Sequence, residues 1–173
     1  MNYEFALKMA NQIKSELAPH CERIEIAGSI RRKKADGIKD VEIVCIPKPY
    51  NVGLFRSGIA TVIEQWPKIK GDLPCKYTQR IYATHGNEVI KVDIFFATPE
   101  NWGMILAIRT GSAEFSHKVL ATAWSRKGYE SREGVLYKED ILYNDRGNAV
   151  QIREEIDLFR LLGIDWVEPE NRH

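Results

Sequence analysis

Residues 27–46 read AGSIRRKKADGIKDVEIVCI. The stretch sets Asp40 and Glu42 into what is otherwise a buried apolar strand, directly behind a Gly-Ser turn and four consecutive bases. In a strand the side chains at i and i+2 share a face. The two carboxylates therefore stand about 6–7 Å apart along the backbone, while Val41 and Ile43 point the other way. Neighbouring carboxylates repel and each is costly to bury, so the arrangement calls for a cation or basic group between them. Oxygen-only ligands suit Mg²⁺, which keeps several waters and shares its shell with substrate phosphates. A bare Asp-x-Glu usually means no more than two solvated acids on an edge strand, but here the context differs. Gly28 and Ser29 are small enough for phosphate oxygens to reach backbone N–H groups and a hydroxyl. Arg31, Arg32, Lys33 and Lys34 add charge suited to a polyphosphate.

Outward from this stretch, residues 88–97 (EVIKVDIFFA) repeat the pattern: Val92 and Ile94 share one face, and Lys91 and Asp93 the other. If this run pairs beside the first, Asp40, Glu42 and Asp93 can hold two Mg²⁺ ions about 3.5–4 Å apart, with Mn²⁺ able to substitute. That arrangement serves in-line nucleotidyl transfer: one ion polarises the attacking hydroxyl and the other neutralises the leaving pyrophosphate. Residues 75–84 form the other arm of a hairpin turned at HGN. Residues 23–29 read as a strand, and RRKKADGIK as the loop joining it to residues 40–46. Before them, Phe5, Met9, Ile13 and Leu17 form a helix stripe over residues 3–17, stopped by Pro19. A second helix is expected over residues 54–66. Beyond TPENWG the texture changes: residues 101–127 read as two helices broken at Thr110-Gly111-Ser112. Short strands and turns follow over 129–152, then a helix over 153–162 and a tail. The fold class expected is α+β with two lobes.

Length and composition bound the alternatives. The 173 residues suffice for one core or two small lobes, and 44% hydrophobic against 28% charged residues fits an ordinary globular chain. The opening MNYEFALKMANQIKSEL carries charge throughout, unlike a signal peptide or membrane span, so the expectation is a cytoplasmic protein without a membrane partner. Cys21, Cys45 and Cys75 have no paired spacing and read as reduced packing residues. His20, His85, His117 and His173 lack ligand spacing. Trp124 and Trp166 read as core, and Glu154, Glu155, Asp157, Asp165 and Glu168 as a solvated face. Net charge is +1, which counts against a protein that coats nucleic acid by charge alone. The charge is uneven: residues 1–100 hold 15 Lys and Arg against 12 Asp and Glu, a balance of +3, and residues 101–173 balance at −2.

The order of these motifs resembles the nucleotidyltransferase pattern of the polymerase β superfamily. GSIRRKKADGIKDVEIV, VIKVDIFFA, RTGSAEFSHKVLATAWSRKGY and LGIDWVEPENR together resemble family X DNA polymerases, in a minimal palm-plus-thumb form like that of a small viral member. The resemblance implies a nucleotidyltransferase palm over residues 1–105, a mixed β-sheet with flanking helices, and a small α+β thumb lobe over 106–173. It implies a DNA-directed DNA polymerase that adds dNMP to a DNA 3′-hydroxyl across short gaps in repair synthesis. Asp40, Glu42 and Asp93 would be the metal-binding catalytic carboxylates, with Asp93 nearest the primer end. Gly28, Ser29 and Arg32 would hold the triphosphate, and Thr110, Gly111 and Ser112 the sugar side of the nucleotide. Lys91, Ser116 and Lys118 would face DNA. The partners implied are primer-template or gapped DNA and a dNTP, bound by a monomer. Glu42 stands where the family commonly has Asp, and Ser116 and Leu120 stand where relatives often have Asn and Arg. With neither a lyase segment nor a helix-hairpin-helix, weak salt-sensitive DNA binding or an accessory DNA-binding partner is expected. Two rivals remain: untemplated transfer, or transfer to RNA or a small molecule, within the same superfamily; and a noncatalytic nucleic-acid-binding module.

Overall fold

The computed structural model describes residues 1–49, 58–71, 73, 76–86, 88–138 and 148–173. Cys75, the start of the helix expected over 54–66, and part of the 129–152 stretch lie outside them. The chain forms two compact units, Met1–Ala97 and Thr98–His173. Both are mixed α and β.

The first unit opens with helix α1 (Tyr3–Leu17), whose N-cap Asn2 accepts the Phe5 N–H at 2.9 Å. Its buried stripe is Ala6, Ala10, Ile13 and Leu17 rather than the expected Phe5, Met9, Ile13 and Leu17. Alanines let the helix approach the sheet closely, and the larger Phe5 and Met9 flank the seam, half-buried. A 3₁₀ turn containing Pro19 ends it. Strand β1 (Cys21–Ile26) stops earlier than the residues 23–29 expected, because Gly28 turns left-handed (φ 62°) and opens the single helical turn α2 (Gly28–Arg31). Then follow β2 (Val41–Pro47), α3 (Ile59–Ile63), the short β3 (Lys68–Lys70), β4 (Tyr77–His85) and β5 (Glu88–Phe96).

These five strands form one sheet in the order β1-β2-β5-β4-β3, with β2 and β5 parallel and the other pairs antiparallel. The hairpin of β4 and β5 is as expected from the HGN turn; β3 is not legible in the sequence, since Lys68, Ile69 and Lys70 are all exposed. One face packs Ile43, Val41, Val92 and Ile94 with α1 and α3 into an apolar core. Cys21 and Cys45 are buried free thiols.

The second unit contains α4 (Trp102–Thr110), a π-helical segment Phe115–Ala121 running into α5 (Thr122–Arg126), the antiparallel sheet β6 (Tyr129–Arg132), β7 (Val135–Lys138) and β8 (Asn148–Val150), and α6 (Glu155–Leu162). Helix α4 packs on α6 within this second unit, which begins at Thr98. Gly103 permits that approach: a Cβ there would meet the Glu154 carbonyl carbon at 2.1 Å. The core is Met104, Ala107, Phe115, Leu120, Leu136, Leu158, Phe159 and Leu162.

Two expectations about this unit are corrected. Trp166 is not core but 38% exposed, its ring lying under the Arg172 guanidinium. Glu155 is not on a solvated face; it is buried and bonded to Arg172.

Candidate active site

The parallel register of β2 and β5 sets Glu42 directly across from Asp93, and β4 sets Gln79 on the other side of Asp93. One polar row thus crosses three strands. Two residues upstream on the same face come Asp40, ahead of β2, and Lys91 in β5. Two downstream stand Val44 and Phe95, with Tyr77 across from Phe95. Alternation puts this row opposite the core face, so the acids interrupt no apolar packing.

Asp93 is 8% exposed, and the Tyr77 hydroxyl donates to its Oδ1 at 2.6 Å. Burial pushes the Asp40 carboxyl above the usual aspartate range, and the charge of Asp93 pushes it further. Lys91, Lys39 and Lys70 oppose this, one cation each from β5, the loop before β2, and β3. Asp40 and Asp93 therefore share one electrostatic neighbourhood. Glu42 turns toward the α2 turn: a Cβ on Gly28 would lie 2.2 Å from its Oε1, so only glycine, already at positive φ, fits there. Burial lowers the affinity of the Arg32 guanidinium for its proton, and the charge of Glu42 restores part of it. As the side chains stand, no group of three or more His, Cys, Asp or Glu residues is drawn into an ion-holding cluster among the described residues. Ser29, in α2, is half-buried.

In the second unit Thr110 is buried at the end of α4, and the Gly111 N–H closes that helix on the Ala107 carbonyl at 3.1 Å. A Cβ on Gly111 would meet Ser116 Oγ at 2.7 Å and Phe115 Cδ1 at 2.8 Å. Ser112 caps the next helix, its hydroxyl accepting the Phe115 N–H at 3.0 Å. The Ser112 N–H in turn donates to the Arg172 carbonyl at 2.9 Å, which ties the Thr-Gly-Ser turn to the terminal Pro-Glu-Asn-Arg. Arg172 is fully buried; it donates Nη1 to Glu155 Oε1 at 2.6 Å and Nε to the Val167 carbonyl at 2.9 Å, with its guanidinium over the Trp166 and Phe159 rings. Ser116 directs its hydroxyl inward to the Ile108 carbonyl at 2.8 Å. Lys118 is exposed and paired with Glu114 at 2.7 Å.

Sequence reasoning missed Tyr77, Lys70 and the Glu155–Arg172 pair. The hairpin pairs His85 with Glu88 at its turn, and a bulge between Ile81 and Ala83 shifts the register by one, which puts Tyr77 on the face of Asp93. That bulge carries no signal in the sequence. Lys70 carried no signal, because β3 is too short and too exposed to show a pattern.

Residues 105–173 match the family model of the DNA polymerase beta thumb, which ties this part of the chain to DNA polymerases of that kind. No curated protein matches the chain. Among the described residues no helix is long and apolar enough to cross a membrane.

Proposed function

We propose that the chain is a divalent-metal-dependent nucleotidyltransferase of the family X type, extending a DNA 3′-hydroxyl with dNTPs across short gaps. The observation that carries the reading is the β2–β5 register, which faces Glu42 to Asp93 with Asp40 on the same side of the sheet, in a chain whose later residues match a polymerase thumb. The donor set fits a hard cation: it is all oxygen, and the charge of Asp93 already raises the Asp40 carboxyl, a repulsion that a divalent ion relieves. Asp40, Glu42 and Asp93 would hold two Mg²⁺ ions. Bound there, such ions supply charge stabilisation for the attacking hydroxyl and for the departing pyrophosphate.

The chain's own residues do the rest. Gly28, with no Cβ, lets the Glu42 carboxylate pack against the α2 turn, and Ser29 and Arg32 on that turn would hold the triphosphate. Lys91, beside Asp93 on β5, offers a cation to the primer end. The turn at Thr110, Gly111 and Ser112, fixed from both sides within the second unit, would be that unit's contribution to the sugar of the incoming nucleotide. In the reaction the 3′-oxygen would bond to the α-phosphorus while the bond to pyrophosphate breaks, and the hydroxyl proton would pass to solvent water.

The test is single-turnover extension of a one-nucleotide gap with each dNTP supplied separately. Asp93→Asn should slow extension about a hundredfold or more, roughly 2.7 kcal/mol of barrier; a fall of less than threefold refutes the assignment. The inward-facing Ser116 hydroxyl favours a second reading, untemplated transfer. Incorporation that ignores the template base in the same experiment would support it.

A further inference from the structure

Tyr77 adjoins Asp93 in a way that no role above uses. The β4–β5 register pairs Gln79 with Asp93 and Tyr77 with Phe95, so Tyr77 and Asp93 are diagonal neighbours on one face, a spacing that an aromatic side chain can cross. The hydroxyl reaches Oδ1 at 2.6 Å, a length typical of a bond to an ionised carboxylate. The ring is held on two sides. It stacks on Phe95 with centroids 4.9 Å apart and planes 24° apart, and Lys70 Nζ lies 5.4 Å from its centroid. A donor fixed in this way fixes the carboxylate plane, yet it takes only one of about four acceptor sites. The remaining sites stay available on a group that neighbours Asp40.

We propose that Tyr77 is a positioning residue: its hydroxyl orients the Asp93 carboxylate for a divalent cation. This rests on the reading of Asp93 as a metal-binding carboxylate. Removing an outer partner of a ligating group commonly weakens metal binding by about 10–100-fold.

The experiment is a titration of the full chain with Mn²⁺, following the spin-resonance signal of the free ion, for the parent, Tyr77→Phe and Asp93→Asn. Phenylalanine keeps the stack on Phe95 and removes only the donor. Asp93→Asn should abolish the binding, and Tyr77→Phe should weaken it about tenfold or more. If Asp93→Asn loses binding while Tyr77→Phe stays within twofold of the parent, the role of Tyr77 is overturned and the metal reading survives. If Asp93→Asn also binds as the parent does, both fall. A second measurement does not depend on the folding of Tyr77→Phe. A cation that draws charge from Asp93 weakens the tyrosine hydrogen bond, so Mg²⁺ should produce a tyrosine absorption difference in the parent that Asp93→Asn lacks. No difference in the parent overturns the proposal.

Discussion

Asp40 occupies a position that costs the folded protein stability. Burial, and then the charge of Asp93, raise its carboxyl above the usual aspartate range against the pull of Lys91, Lys39 and Lys70. A carboxyl raised in this way binds more protons folded than unfolded, so stability falls as pH rises through the interval between the two values. Asp40→Asn should therefore raise the melting temperature of the protein in EDTA at neutral pH. The gain should vanish below the ordinary aspartate value of about 3.9, where the parent's carboxyl is neutral in both states. A melting series across pH checks this, and an Asn variant less stable than the parent at pH 7 would contradict it. The same misfit made the acids legible in the sequence, since charge within an apolar run stands out. Tyr77 does not stand out, because tyrosine is an ordinary strand residue and its partner lies 16 positions on.

Long elements with a strong period, α1 and the two arms of the β4–β5 hairpin, could be read directly. Pairing could not: nothing in residues 40–46 or 88–97 says that the two runs lie parallel and adjacent, and that choice brings Glu42 to Asp93. The Thr-Gly-Ser break was visible as a change of texture. Its anchor was not, since Glu155 and Arg172 are 17 residues apart and each alone reads as a surface charge. Breaking a buried ion pair by removing one partner leaves an uncompensated charge, which costs about 3–5 kcal/mol. Arg172→Met should lose about that much stability in urea unfolding, and adding Glu155→Gln should recover part of it. A loss below about 1 kcal/mol in the single variant would mean that the pair does not hold the tail and its turn.

Taken whole, the chain has little charge with which to grip a polyanion: net +1, with its basic excess in the first hundred residues. Lys39, Lys70 and Lys91, gathered about Asp40, are a local exception, as is the run Arg31-Arg32-Lys33-Lys34. Each phosphate contact adds about 0.9 to the slope of log affinity against log salt on duplex DNA. Binding of a gapped duplex, followed by fluorescence anisotropy between about 50 and 200 mM salt, should give a shallow slope of about −3, and Lys70→Ala should flatten it by about one. An unchanged slope would place Lys70 away from the DNA backbone.

Strand β5 lies between β2 and β4 although it is the last of its sheet to be synthesised. A growing chain on the ribosome thus carries β2 with an open flank until residue 96 has emerged. The acids contributed by the early and the late strand cannot face one another before that moment.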